Sequence, residues 1–160
     1  KKSRQALFKK KALILGKGKI GKKVFEKMKL FMDVDSYDIL TDKPESLKGK
    51  LNHADVISIH IPLNSDTKGI INSEFLSNMK DGALLVNTAR APIINETDLF
   101  NEIKSKRIKC ALDVFWDEPY KKNLSTFDHN HLSFTPHLAS TCKEFLISAE
   151  KDLHNFLKKL

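Results

Sequence analysis

Gly16, Gly18 and Gly21 stand at GxGxxG spacing in the stretch ALILGKGKIGKKVFEKM. Glycines at those offsets let a backbone turn sharply, let it approach a dinucleotide pyrophosphate, and let a helix close on the preceding strand. The helix start then offers free N–H groups to the phosphates. Lys17 and Lys19 interrupt the glycines, so the stretch also reads as a basic patch for nucleic acid or as a turn without chemistry. Asp38 favours the first reading. It closes the next expected strand 22 residues after Gly16 and 17 after Gly21, where a carboxylate accepts hydrogen bonds from the adenosine ribose hydroxyls. An acid there repels a 2′-phosphate and so favours NAD over NADP. The structural alternative is that Asp38 begins an Asx turn before Thr41-Asp42-Lys43-Pro44.

Such groups need a sheet to hold them. Apolar runs of strand length alternate with amphipathic segments of helix length, the pattern of repeated βαβ units. Strands are expected at about 12–16 (ALILG), 34–38 (VDSYD), 55–61 (DVISIHI), 83–87 (ALLVN), 110–115 (CALDVF) and 132–135 (LSFT). Most are continuous apolar runs, as for parallel strands covered on both faces. The segment KIGKKVFEKMKLF sets Ile20, Val24, Phe25, Met28 and Phe31 along one helical face, and SEFLSNM and NETDLFNEIKSK carry Ser73 and Asn95 as expected N-caps. The final stretch repeats Phe145, Leu146, Ala149, Leu153, Phe156, Leu157 and Leu160 at helical spacing, a stripe that needs a packing surface.

At 160 residues the chain suits one domain with a sizeable core rather than two. Its 41% apolar and 30% charged content is that of a soluble globular protein, and no apolar run approaches a membrane span. A net charge of +8 suits an anionic partner such as a nucleotide, a nucleic acid or an acidic metabolite. The lysines are scattered, however, and lack the clustered aromatics of single-strand binders, so nucleic-acid binding is the weaker reading. Cys110 and Cys142 sit in unlike settings without CxxC, which suggests no metal site and no disulfide framework and fits a reducing cytoplasm. The opening KKSRQALFKKKALIL lacks the apolar length and cleavage site of a secretory signal. The chain opens on Lys1 rather than Met, as expected of a piece of a longer protein.

The carboxy-terminal half carries more specific signatures. HIPLNSDTKGIINSEFLSNMKDGALLVNTARAPIINETDL, then ALDVFWDEP, then FTPHLAS resemble, in order and spacing, the nucleotide-binding domain of the D-isomer-specific 2-hydroxyacid dehydrogenases. That family includes phosphoglycerate, glycerate and D-lactate dehydrogenases, and the resemblance runs from about residue 6 to about residue 150. It implies a doubly wound α/β fold, a Rossmann-type dinucleotide-binding domain of three α/β/α layers, with NAD as cofactor. It also implies a catalytic trio: Arg90 holding the substrate carboxylate and keto oxygen, Glu118 paired with histidine, and His137 as proton donor. Asp113 matches the residue at the nicotinamide end, and Lys19, Ile20, Ile61, Pro62, Thr67 and Thr88 fall where the family lines the cofactor.

The chemistry of these side chains agrees with that assignment. Hydride transfer to a 2-oxo acid builds negative charge on the carbonyl oxygen, which calls for a proton donor with a pKa near working pH and a fixed cation beside it. His137 suits the first role, with Glu118 favouring its charged form, and Arg90 suits the second through bidentate carboxylate binding. In reverse, neutral His137 takes the hydroxyl proton of the 2-hydroxy acid. Each residue also has a structural reading: Arg90 could pair with a surface acid, Glu118 could serve a turn, and His137 a loop. All three nonetheless fall just past the carboxyl ends of expected strands, where open α/β sheets place ligands. His53, His60, His129, His131 and His154 lack such companions and read as structural or solvated.

Ala91-Pro92 replaces the glycine that many family members carry after the arginine, and proline fixes the backbone that holds Arg90. Trp116 is another variable position, shaping the substrate pocket or covering the loop. The resemblance further implies that the family's discontinuous substrate-binding domain is absent from this chain, and that the protein is a homodimer built through this domain. A non-catalytic NAD-sensing or protein-interaction module on the same scaffold, as in corepressors resembling these dehydrogenases, is the competing function.

Overall fold

The computed structural model describes residues 9–139. In chain order the elements are β1 (Lys11–Leu15), α1 (Lys19–Met28), β2 (Asp33–Tyr37), α2 (Glu45–His53), β3 (Val56–Ile59), α3 (Ser73–Ser77), β4 (Leu84–Asn87), α4 (Glu96–Lys104), β5 (Lys109–Leu112) and β6 (Leu132–Phe134). Short 3-10 turns occupy Ala91–Ile93 and Leu124–Thr126. The strands form one parallel sheet in the order β2-β1-β3-β4-β5-β6. Because β2 and β3 lie on opposite sides of β1, the winding reverses there, and a crevice opens beyond the carboxyl ends of those strands.

One row of the register, Leu13, Ile57, Leu85, Cys110 and Leu132, is at most 2% exposed. Leu51 of α2, Leu76 of α3, and Leu99, Phe100 and Ile103 of α4 belong to the same core. Burying a side chain of that size contributes about 1.5–3 kcal/mol, so this layer holds the strand ends in place. On the opposite face α1 lies beside Ile14 of β1 and Ser36 of β2. The three expected layers are thus present.

The strands fall where the apolar runs predict: β1 and β2 each run one residue earlier than expected, leaving Gly16 and Asp38 just beyond them, and β3 to β6 are shorter. β3 stops at Ile59 instead of residue 61: the His60 N–H still donates to the Leu15 carbonyl at 2.7 Å, and Pro62 then has no N–H to continue a ladder. β5 stops at Leu112 instead of residue 115, where the chain turns away after the Asp113 N–H meets the Asn87 carbonyl at 3.0 Å.

The helices required more correction. Asn95 caps α4 as expected, its side chain accepting from the Asp98 N–H at 3.1 Å. At α3 the cap is Asn72, which accepts from the Phe75 N–H at 3.1 Å, and Ser73 is the first helical residue. The apolar face expected along α1 is only partly realised. Val24, Phe25 and Met28 are half-buried, whereas Ile20 is 67% and Phe31 61% exposed. Gly21 is the residue on which the first turn closes against β1, which leaves Ile20 facing outward, and α1 ends at Met28 before Phe31. The stripe from Phe145 to Leu160, with Cys142 and His154, lies outside the described residues. Among the described residues no helix is long and apolar enough to cross a membrane.

Candidate active site

Every expected site residue lies at the carboxyl edge of the sheet, in two groups. The first is the β1–α1 turn. Gly16 has a φ of +101°, and a Cβ added there would sit 2.5 Å from the His60 carbonyl oxygen. A Cβ added at Gly21 would sit 1.9 Å from the Gly16 carbonyl oxygen. Gly18 is the N-cap of α1, and a Cβ there would meet nothing within 4 Å. Two glycines therefore answer to close packing, and the middle one faces open space.

The start of α1 carries no side-chain cap and no acidic residue in its first turn. Its N–H groups and dipole are thus left to an anion, which is the fit a pyrophosphate requires. Asp38 joins this turn directly: Oδ2 accepts from the Lys17 N–H at 2.8 Å. Its other oxygen, Oδ1, accepts from the Leu40 N–H at 3.0 Å, so the Asx turn is also present. The Asx-turn contact and the tie to the glycine turn thus use one oxygen each. Ile61 is 6% exposed and Pro62 is exposed beside it. Thr67 is 2% exposed, and its hydroxyl donates to the Pro62 carbonyl at 2.6 Å, so it braces the loop from within. His60, half-buried with its Nε2 2.9 Å from Ser58 Oγ, backs the glycine turn, and burial pushes its pKa below the ordinary value.

The second group lies past β4, β5 and β6. His137 Nδ1 is 2.8 Å from Glu118 Oε2 and 3.1 Å from Oε1, so the carboxylate holds the ring through Nδ1. The bond to His137 leads the causes that hold the Glu118 carboxyl below its usual value. The Phe115 N–H at 3.2 Å comes next, and the Arg90 charge adds to both. Arg90 is exposed at the end of β4, and its Nη1 donates to the Ala89 carbonyl at 2.6 Å. Thr88 is exposed on the same turn and lines a groove with Asp113 and Thr135.

Asp113 is 5% exposed. Its Oδ1 accepts from the Thr135 hydroxyl and, at 2.8 Å, from the Leu138 N–H; its Oδ2 accepts from the Ala139 N–H at 2.9 Å. Burial raises this carboxyl, and the bonds from Thr135, Ala139 and Leu138 outweigh it, so the pKa is lowered. Asp113 therefore clasps the loop that carries His137. His137 needs that clasp, because its φ of +54° lies in the left-handed region that non-glycine residues seldom occupy.

Two positioning residues were absent from the sequence-based expectation. Asn87, fully buried at the end of β4, donates from Nδ2 to the Arg90 carbonyl at 3.0 Å and accepts from the Ala89 N–H at 2.9 Å, shaping the turn that presents Arg90. A polar residue closing the run ALLVN was its only visible signal. Thr135 is the second, its hydroxyl spent on Asp113. Trp116 covers the loop: its indole donates to the Ile94 carbonyl at 3.0 Å and packs against Phe100 at 5.8 Å. Pro92 sits in the 3-10 turn after Arg90, with its carbonyl accepting from the Gly69 N–H at 2.9 Å.

The family model for the D-isomer specific 2-hydroxyacid dehydrogenase NAD-binding domain matches residues 1–139. The chain belongs to this family. Among curated members, it is 36% identical over 145 residues to hydroxypyruvate reductase of Thermotoga maritima, covering 82% of this chain and 46% of the relative. It is 35% identical over 142 residues to the chloroplastic D-3-phosphoglycerate dehydrogenase 2 of Arabidopsis thaliana, covering 82% of this chain and 23% of the relative. The chain thus spans less than half the length of these family members. A solved structure, NAD-dependent formate dehydrogenase from Staphylococcus aureus in complex with NAD, superposes with a TM-score of 0.82 at 27% identity, covering 96% of this chain and 49% of that one.

Proposed function

We propose that this dehydrogenase-family domain binds NAD(H) and supplies the catalytic side chains for interconverting a D-2-hydroxy acid and its 2-oxo acid. The observation that carries the reading is the Glu118–His137 bond, 2.8 Å long, with Arg90 near enough to act on Glu118. NAD(H), when bound, supplies or accepts the hydride at C2 of the substrate.

Gly16, Gly18 and Gly21 would hold the pyrophosphate, with Lys19 and Ile20 on the first turn of α1. Asp38 would accept from the ribose hydroxyls, and Ile61, Pro62 and Thr88 would line the dinucleotide. Thr67 and Asp113 would serve the site by holding its loops. In the reducing direction, protonated His137 gives its proton to the carbonyl oxygen as charge grows there, and Glu118 holds the ring in place. Arg90 fixes the substrate carboxylate through two parallel N–H bonds and screens the developing oxyanion. In the oxidising direction, neutral His137 takes the hydroxyl proton.

The relatives' greater length supports a further part of the reading: a substrate-binding domain completes the pocket in the whole protein. A homodimer through this domain belongs to the same reading, supported by Leu30 at 78% and Phe31 at 61% exposure beyond α1; sedimentation of the chain tests it.

Titrating NADH against the 160-residue chain, read through its single tryptophan, tests the cofactor assignment. Saturable binding weakened by Asp38→Ala is expected, and no binding by the wild type defeats the assignment. Turnover of a panel of 2-oxo acids by the whole protein, abolished by His137→Gln, tests the enzyme against a non-catalytic NAD sensor.

A further inference from the structure

Lys17 and Asp42 take no part in the chemistry above, yet they are joined at both carboxylate oxygens. Lys17 Nζ donates to Asp42 Oδ1 at 2.6 Å and to Oδ2 at 2.7 Å. The Lys17 N–H also donates to Asp38, and the Asp38 N–H donates to Asp42 Oδ2 at 3.1 Å. These contacts close a ring that ties the glycine turn to the end of β2. Within it one ammonium faces two carboxylates, a net charge of about −1. The bond from Lys17 leads the causes that hold the Asp42 carboxyl below its ordinary value, with the Asp38 N–H next.

The ring sits where the ribose end of the dinucleotide is assigned. A ribose 2′-hydroxyl can donate to Asp38, whose carboxylate keeps spare lone pairs beside its two backbone donors. A 2′-phosphate instead brings about −1.5 to −2 charges and needs a cation within reach. The lysine at that spot is already neutralised, with its side chain 37% exposed and Asp42 at 21%.

We propose that Lys17 is a 2′-phosphate-binding cation held shut by Asp42, so that Asp42, beside Asp38, sets the preference for NAD over NADP. The inference rests on the dinucleotide reading of the glycine turn. Its distinguishing feature is that cofactor choice depends on a residue that need not touch the ribose.

Direct titration of NADH and NADPH, followed by nicotinamide fluorescence at low and high salt, tests it. Wild type is expected to prefer NADH. Asp42→Asn should bind NADPH about tenfold more tightly while NADH stays within about twofold, a gain of the size expected for one freed charge pair and diminished by salt. Asp42→Asn with Lys17→Met should cancel the gain, and Asp42→Glu should keep the wild-type ratio. Lys17→Met alone, which leaves both acids uncompensated, should weaken NADPH binding about tenfold and so tests the idea even if Asp42→Asn does not fold. A NADPH-to-NADH ratio unmoved by Asp42→Asn, a gain that survives the double variant, or NADPH binding unchanged in Lys17→Met overturns the proposal. Wild type that binds neither nucleotide overturns the dinucleotide reading itself.

Discussion

Replacing Gly21 by alanine is the sharpest test of how the cofactor turn is built. The added Cβ would lie 1.9 Å from the Gly16 carbonyl oxygen and 3.0 Å from its carbon. An ordinary carbon–oxygen contact is about 3.3 Å, so roughly 1.4 Å of separation has to be found. Both groups are backbone, and neither can rotate away. The expense falls at the upper end of overpacking, about 3 kcal/mol, or roughly 6–12 °C in Tm for a domain of this length. A shift of about 1 Å in the turn also misplaces the groups that meet the phosphates, with a loss near a hundredfold expected in NADH affinity.

Gly18→Ala is the matched control. Its Cβ meets nothing within 4 Å, and its φ of −70° suits any residue. Alanine is a poorer N-cap than glycine, but it also narrows the unfolded ensemble, so stability should stay within about 0.5 kcal/mol. NADH affinity should still fall, because the methyl group enters the space assigned to the pyrophosphate. Thermal unfolding by circular dichroism and titration by Trp116 fluorescence read both quantities. A Gly21→Ala chain that unfolds at the wild-type temperature refutes the packing argument, and a Gly18→Ala chain that binds NADH normally refutes the placement of the cofactor.

Asp113→Ala should deprive the three donors of the Thr135–Ala139 loop of their acceptor and lower kcat of the whole protein about a hundredfold, with little change in NADH affinity of the chain. Wild-type kcat would show that His137 keeps its place unaided. Arg107 donates to the Leu76 and Met79 carbonyls at 2.6 and 2.8 Å and to Glu102 at 2.6 Å. Arg107→Ala strips the end of α3 of these donors and should cost about 2–4 kcal/mol in urea unfolding, without a change in slope. Asp55, bound by Lys80, Lys10 and the Lys11 N–H, is lowered to about 2 against the opposing push of burial. Its folded value lies below its unfolded one, so its contribution is complete above about pH 4 and is lost as pH falls toward 2. Asp55→Asn should be less stable at neutral pH and should flatten the acid limb of a stability–pH curve.

Much of the site was legible because it depends on backbone demands at set offsets. Gly16 and Gly21 answer to close approaches that no side chain tolerates, and Asp38 directly follows a strand whose position the run VDSYD marks. Arg90, Glu118 and His137 were reachable through the motifs around them. Contacts between distant segments were not. Lys17 and Asp42 are 25 positions apart with no pattern linking them, and the reach of Asn87 to Arg90 depends on a turn shape that Pro92 helps define. Asn72 and Ser73 are both capable caps, and the choice follows from the bridge between Ile71 and Ile94, which sets where the helix begins. α2 went unforeseen because its sequence ESLKGKLNH buries only Leu51 fully and has no clear apolar face.

The His60 carbonyl that closes over Gly16 comes 44 residues later in the chain. During synthesis, at about 5–20 residues per second, the glycine fingerprint therefore emerges roughly 2–9 s before the wall that gives it shape. Until β3 has left the ribosome and paired with β1, one long edge of β1 lies bare beside the turn. A nascent chain arrested before residue 56 carries the fingerprint without the site, so nucleotide capture by ribosome-bound chains should begin only after that point.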